Sequence, residues 1–174
     1  MVWVGAINAI LFAVLLALLR FVHLAARPRI EVLGRVKGHA GLHSIDRHAE
    51  ARTTPGIVLF RFNGPLVFFN SAYFKREALA AARAAGPGLN WFVLDLIPVT
   101  QFDVTGMDAL DALEAELAAK GVTLVSAGRM TESTDWLRAR GLHRDPHGER
   151  HFPTMRQALR AYKSRFPDNS TPDT

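Results

Sequence analysis

The sequence contains no cysteine, which excludes disulfide scaffolds, thiol catalysis and every zinc or iron–sulfur site built on cysteine. It also has little excess charge beyond its first 29 residues. Of the 21 basic residues, three arginines lie in that segment with no acid, which leaves 18 basic against 16 acidic residues in the remainder. No basic stripe interleaved with aromatic residues is present in the sequence, so we expect no nucleic-acid partner.

Catalytic motifs are absent from the sequence as well. There is no GxSxG nucleophile elbow, no phosphate-binding P-loop and no HExxH pair, so we expect no enzyme activity, no cofactor and no resident metal. The remaining metal candidates are two groups of histidines: His39, His43 and His48 in a loop, and His143, His147 and His151 at helical spacing. Pro146 and Gly148 would interrupt a helix through the second group, and we expect neither group to bind a metal.

The N-terminal segment is the longest apolar run of the chain. Residues 2–19 contain no charged side chain and only Asn8 as a strongly polar one. As a helix these residues extend about 27 Å, enough to cross the hydrocarbon core of a bilayer. A secretory signal would carry basic residues before the run, whereas here they follow it: Arg20, Arg27, Arg29, Arg35 and Lys37. We therefore predict a transmembrane helix with its C-terminal side in the cytoplasm, and a buried core helix is the alternative.

Hydrophobic periodicity and turn residues predict the secondary structure after Pro28. Strands are predicted at residues 30–38, 57–62, 66–69, 91–97 and 122–127, and helices at residues 72–85, 105–120, 131–141 and 153–166. Asn70 or Ser71 is the predicted N-cap of the first of these helices. Strands that alternate with helices favour an α/β domain with a largely parallel sheet. The strands at 91–97 and 122–127 are apolar at nearly every position, so both faces of the sheet should be covered.

Polar residues follow the apolar strand at 91–97 and precede the next helix. In an open α/β sheet such a loop is where ligands bind, because backbone N–H groups and the helix dipole point there. Thr105 is the predicted N-cap, Asp108 completes a loose capping box, and Asp103 would help orient the free N–H groups. An anion or nucleotide contact at Thr105 and Gly106 is the alternative. A paired-carboxylate site is not expected, because Asp95 is placed in mid-strand with no reason to face Asp103.

Three stretches of the chain follow one another in the order of a known module: "ARPRIEVLGRVKG", "GIVLFRFNGPLVFFNSAYFKREAL" and "FDVTGMDALDALEAELAAKGVTLVSAG". They resemble the STAS domain, which sulfate permease (SulP) type anion transporters share with anti-sigma factor antagonists. The first stretch is similar to the segment where the last membrane helix of the transporters enters the domain. The resemblance extends over about residues 10–165. The order of the three stretches behind an apolar segment makes it fairly specific.

This resemblance implies a STAS-like fold at residues 28–166, preceded by a transmembrane helix at residues 1–27 and followed by a flexible tail at residues 167–174. It implies a cytoplasmic regulatory or interaction domain without catalytic machinery, held at the inner membrane by a single span. The implied partners are the membrane, the membrane domain of a transporter or another protein, and a second copy of the chain.

The same resemblance identifies a candidate regulatory loop. In anti-sigma factor antagonists of this family the loop carries Asp, a phosphorylatable Ser, then Ser or Thr, then Gly. Here the four residues are Asp103, Val104, Thr105 and Gly106. Val104 has no hydroxyl, so the phosphorylation switch does not carry over to that position, and Thr105 is the substitute that remains. This departure favours the transporter branch, and an antagonist-like signalling protein that acts by binding other proteins is the alternative.

Transport by this chain alone is not expected. A transporter of the SulP type needs about a dozen spans to enclose a polar path, and one apolar helix encloses none. The chain is therefore interpreted either as the C-terminal fragment of such a transporter or as an accessory subunit, and the sequence does not choose between the two.

Overall fold

The computed structural model describes residues 2–128, 144–145 and 148–167. The helices in this part of the chain are α1 (Val2–Ala26), α2 (Ser71–Ala84), α3 (Val104–Ala118) and α4 (Met155–Arg165). Its strands are β1 (Arg29–Gly34), β2 (His43–Ser44), β3 (Ile57–Asn63), β4 (Trp91–Asp95), β5 (Thr123–Ala127), β6 (Arg144–Asp145), β7 (Gly148–Glu149) and β8 (His151–Phe152). The helix predicted at residues 131–141 and most of the predicted tail lie outside the described residues.

A six-stranded mixed sheet forms the centre of the domain. Its strand order is β2-β1-β3-β4-β5-β8. The pairs β3–β4, β4–β5 and β5–β8 are parallel, whereas β1 is antiparallel to both β2 and β3. The prediction of an α/β domain with a largely parallel sheet is confirmed. Strands β6 and β7 pair only with each other in an antiparallel hairpin.

Both faces of the sheet are covered by helices, as the continuous apolar strands predict. Successive side chains of a strand point to opposite faces, and β3 shows this alternation. Phe60 and Phe62 pack towards α2 and α3 in one apolar cluster, whereas Ile57 and Leu59 pack towards α4 in the other. The domain therefore has three layers: helices α2 and α3, the sheet, and helix α4. Helices α2 and α3 are also linked by a salt bridge of 2.7 Å from Lys75 to Glu116, and this hydrogen bond lowers the pKa of Glu116.

The strand predicted at residues 66–69 is wrong. Leu66 forms a single bridge with Phe102, and the chain then turns, with the N–H groups of Asn70 and Ser71 donating to the Val67 carbonyl. The aromatic and β-branched composition of this stretch favours a strand, but the Asn70 side chain accepts a hydrogen bond from the Val67 N–H and holds a turn instead. Tertiary and side-chain contacts therefore override the local propensity.

Helix α1 is exposed from residue 5 to residue 24 and half-buried at its last two residues. The 22 residues from Gly5 to Ala26 are long and apolar enough to cross a membrane, and none of the apolar window is buried against the described residues. The alternative of a buried core helix is therefore wrong. At its end, the Ala25 carbonyl lies 3.3 Å from the Asn70 side-chain amide, and Pro28 is buried beside Gly64. Only two residues separate α1 from β1.

The start of α3 lies against the loop that follows β3. Gly106 is buried in the first turn of the helix, and a Cβ atom added to it would overlap the carbonyl of Leu66. This close contact requires glycine at position 106, because a backbone carbonyl cannot move aside as the end of a side chain can.

We predict that Gly106→Ala destabilises the domain by about 1–3 kcal/mol, the usual effect of overpacking a close contact. The measurement is thermal unfolding of the full chain in detergent micelles, followed by circular dichroism. Gly88→Ala is the matched control, since an added Cβ there meets nothing within 4 Å. The control should stay within about 0.5 kcal/mol of the native chain. Equal destabilisation by the two substitutions would contradict the assigned contact.

Candidate functional site

Two loops meet at the C-terminal ends of the central strands β3 and β4. The first, residues 64–70, joins β3 to α2, and the second, residues 96–103, joins β4 to α3. The Leu66 N–H donates to the Gln101 carbonyl at 2.9 Å, and the Asp103 N–H donates to the Leu66 carbonyl at 3.3 Å. We call this region the loop edge. We include in it the first turn of α3, so it contains all four residues of the candidate regulatory loop, Asp103 to Gly106.

Asp103 connects the two loops through its carboxylate. One oxygen accepts a hydrogen bond from the Gly106 N–H at 2.7 Å, and the other accepts one from the Phe68 N–H at 2.8 Å. Asp103 is the N-cap of α3 and has the extended backbone of that position. The prediction that Thr105 is the N-cap is therefore wrong. Thr105 lies in the first turn of the helix and is exposed.

Asn70 connects the first loop to the end of α1. Its side-chain oxygen accepts from the Val67 N–H at 3.0 Å, and its amide donates to the Pro65 carbonyl at 2.9 Å and to the Ala25 carbonyl at 3.3 Å. Asn70 is fully buried, and it occupies the predicted N-cap position of α2 without a side-chain cap hydrogen bond. Sequence reasoning missed its role, because an asparagine before a helix predicts a cap and gives no sign of a distant partner.

Tyr73 lies beside the same junction. It lines a recess with the end of α1, the start of β1 and the Asn63–Pro65 turn. Burial, followed by the negative charge of Glu77, raises the pKa of the Tyr73 hydroxyl, with the charges of Arg76 and Arg27 acting in the opposite direction. The hydroxyl therefore stays protonated and neutral at physiological pH.

Asp95 has a structural role away from the candidate regulatory loop. It is the last residue of β4 and is fully buried, so its predicted mid-strand position is corrected to the strand end. Its carboxylate accepts hydrogen bonds from Arg61 at 2.8 Å and from the Ile97 N–H at 3.0 Å. Arg61 lies opposite Asp95 in the register of β3 and β4, and its other side approaches Glu31. This arrangement neutralises a buried charge and offers no second carboxylate to a substrate.

Large apolar side chains are exposed at the loop edge. Phe68 is 68% exposed, Phe69 41%, Ile97 62% and Val104 66%. The rings of Phe68 and Phe69 pack edge to face, with centroids 5.2 Å apart. We call these four residues the loop-edge apolar residues. Among the described side chains outside α1, they are the large hydrophobics that are exposed.

The predicted anion or nucleotide contact at Thr105 and Gly106 stays a prediction. The Gly106 N–H already donates to Asp103, so an anion at this helix N-terminus would have to displace a carboxylate. Asp103 and Asp108 also place negative charge beside Thr105, which opposes both a bound anion and a phosphate on the hydroxyl.

The histidines of the first group lie close together in the structure. The His43 ring packs edge to face against two others. Its centroid lies 6.3 Å from that of His39 and 4.9 Å from that of His48. In the described part of the chain, no group of three or more histidine and acidic side chains could hold a metal ion. His151 lies 2.9 Å from the Ser126 hydroxyl, and His143 and His147 lie outside the described residues.

Comparison with known families defines the class of domain. The STAS domain matches residues 48–158, and the chain belongs to the STAS domain family. The match covers the loop edge, α2, α3 and most of the sheet.

Within this family, the chain is similar to sulfate transporters. A probable sulfate transporter of Mycobacterium tuberculosis is 36% identical over 162 residues, which are 92% of this chain and 29% of that protein. Sulfate transporter 1.3 of Arabidopsis thaliana is 27% identical over 136 residues, 72% of this chain and 20% of that protein. The chain therefore spans less than a third of the length of these relatives.

Solved structures show the same fold. The murine solute carrier 26 family member A9 anion transporter, in its inward-facing state, superposes with a TM-score of 0.72 at 19% identity, covering 92% of this chain and 25% of that one. The STAS domain of a SulP transporter from Vibrio cholerae superposes with a TM-score of 0.53 at 17% identity, covering 71% of this chain and 94% of that one.

The two candidate N-caps of α3 make opposite predictions. If Asp103 caps the helix and holds Phe68, then Asp103→Ala should destabilise the domain by about 1–3 kcal/mol, because two N–H groups lose their partner. Thr105→Ala, the matched control in the same turn, should change the stability by less than about 0.5 kcal/mol. Chemical denaturation of the full chain in micelles measures both. A larger effect at Thr105 than at Asp103 would overturn the assignment of the cap.

Proposed function

We propose that the chain is a membrane-tethered, cytoplasmic regulatory domain of a SulP-type sulfate or anion transporter. In this proposal α1 is its single membrane span, and the domain acts by protein contacts at the loop edge. It acts either as part of a longer transporter chain or as a separate subunit, and it does not transport by itself.

The observation that carries the proposal is the position of the loop edge at the end of an exposed apolar helix. The 22 residues of the candidate span would extend about 33 Å, which matches the hydrocarbon core of a bilayer. The hydrogen bond from Asn70 to Ala25 and the contact between Pro28 and Gly64 hold the first loop against the end of that helix. With α1 in a membrane, the loop edge would face the bilayer and any membrane domain beside it.

The charges around α1 support the cytoplasmic orientation. Arg27 and Arg29 follow the candidate span, and Arg20 lies in its last two turns. Basic residues next to a span are retained on the cytoplasmic side of the membrane. The similarity to sulfate transporters over 92% of the chain supports the same role, since those proteins are named for transport across membranes.

The loop-edge apolar residues supply the proposed docking contact. Burial of one Phe side chain contributes about 1.5–3 kcal/mol, so Phe68 and Phe69 together could hold a membrane domain to the loop edge. A homodimer that buries the same residues is the second arrangement consistent with this surface.

The antagonist-like signalling role has less support. Val104 is exposed at the position of the phosphoacceptor and carries no hydroxyl, while Thr105 is exposed beside two acidic side chains. The likeness to solved anti-sigma factor antagonists shows a shared fold, and that fold also serves transporters.

The membrane tether is tested by expression of the full chain in bacteria. We expect it to remain in the membrane fraction after alkaline carbonate washing. Leu15→Lys combined with Leu16→Lys should release it, since each lysine at the centre of a span costs about 2.5–3.5 kcal/mol. Leu15→Val with Leu16→Val is the control that keeps the segment apolar. Recovery of the native chain as a soluble species without detergent would refute the tether.

The docking role is tested in a chimera. The matching 162 residues of the mycobacterial relative are replaced by this chain, and uptake of radiolabelled sulfate is measured in cells. Phe68→Asp with Phe69→Asp should reduce uptake, because two buried apolar contacts are lost and association weakens by more than about tenfold.

The control for this experiment adds the same two charges at the other end of the strands, before β4. Pro87 and Gly88 lie on an exposed turn there, and Pro87→Asp with Gly88→Asp should leave uptake unchanged. If both pairs of substitutions, or neither, reduce uptake at equal expression, the loop edge is not the docking surface.

A further inference from the structure

A basic groove lies on the face of the sheet opposite α2 and α3. One wall is the connection from β1 to β2, residues 35–42, and the other wall is α4. Neither segment contains an acidic residue. The groove encloses about 270 Å³, and its basic lining is formed by Arg35, His39, Arg156, Arg160 and Lys163. The two segments are more than a hundred positions apart in the sequence, and only the fold brings their charges together.

The floor of the groove is apolar, and a space remains open beside Gly41. Leu159 of α4 is buried in the apolar cluster on this face, and Leu42 packs against the same cluster. Gly41 has a φ of 118°, a conformation that other residues rarely adopt. A side chain at this position would contact Arg156 Nη2 at 3.9 Å and His43 Nε2 at 3.7 Å. The absence of a side chain at Gly41 therefore keeps the space between these two nitrogens open.

One of these nitrogens is a buried polar atom without a partner. In the described part of the chain, His43 Nε2 is inaccessible to solvent and makes no hydrogen bond. Buried polar groups are nearly always hydrogen-bonded, and leaving one unpaired is unfavourable. Because solvent does not reach this nitrogen, the group beside Gly41 that a ligand oxygen can approach directly is the exposed Arg156.

The chemistry of the lining selects the class of ligand. A guanidinium group donates two parallel hydrogen bonds to a phosphate, and three arginines here lie on the two walls of a single groove. Arg156 and Arg160, about one turn apart on α4, offer two such groups side by side, which suits a ligand with two linked phosphates better than a single divalent anion such as sulfate. We propose that the basic groove binds a ligand that carries a diphosphate or a longer chain of phosphates. A free oligophosphate fits this position, because the groove lies beyond the end of β1 that points away from α1 and the proposed membrane.

The proposal is tested by binding of inorganic pyrophosphate to the full chain in nanodiscs of phosphatidylcholine, measured by calorimetry. We expect saturable binding with one site per chain, tighter than that of sulfate. Arg156→Gln with Arg160→Gln should weaken it by at least about tenfold, because each substitution removes a charge-assisted hydrogen bond. Arg76→Gln with Arg83→Gln removes the same charge from exposed positions of α2 on the other face and should leave the affinity unchanged.

Nanodiscs that contain a phosphatidylinositol phosphate separate the two sources of phosphate. The pyrophosphate affinity should be unchanged in them, and a loss of at least about tenfold would show that a lipid headgroup competes for the groove and would overturn the assignment to a free ligand.

Three outcomes would overturn the proposal: no pyrophosphate binding, equal losses in the two pairs of variants, or binding of polyglutamate but not of pyrophosphate. Circular dichroism checks that each variant is folded, and Arg160→Gln alone replaces the pair if the pair is not. The binding measurement does not involve transport, so its result is independent of the chimera experiment.

Discussion

The carboxylate of Asp103 is the interaction on which the loop edge depends. It satisfies one N–H group at the start of α3 and a second one in the loop that follows β3, so two segments 35 positions apart share one acceptor pair. The Leu66 carbonyl can then lie against Gly106, where only a hydrogen atom fits. This geometry leaves Phe68 and Val104 directed away from the core, because the backbone around them is committed to Asp103. The exposed apolar surface is therefore a consequence of how the helix is capped.

Local patterns predict the elements of this domain better than the contacts between them. Strands β4 and β5 are apolar on both faces, and this pattern alone predicts a sheet covered on two sides. The N-cap of α3 could not be decided in the same way, because Asp103 and Thr105 are both good capping residues two positions apart. The choice depends on Phe68, which the helix does not contain. The strand predicted at residues 66–69 failed for the same reason, since its conformation is set by the side chain of Asn70.

Charge shows the same limit of sequence reasoning. Beyond the N-terminal segment the basic and acidic residues nearly balance, and this balance argues against a strongly basic surface. The fold nevertheless separates the charges. It places the acid-free connection after β1 beside the acid-free helix α4, while Glu31 and Asp95 both lie beside Arg61 of β3. A total charge cannot reveal such a separation, because it depends on which faces of the elements share a groove.

The junction at Asn70 has a mechanical consequence. Two residues separate α1 from β1, and the Asn70 amide donates to the Ala25 carbonyl at the end of α1 and to the Pro65 carbonyl in its own loop. The short connection and the hydrogen bond to Ala25 limit the motion of α1 relative to the domain. A tilt of α1 would therefore displace Phe68 and Phe69 with it. If α1 spans a membrane as proposed, a change in bilayer thickness would tilt it and displace these two exposed side chains.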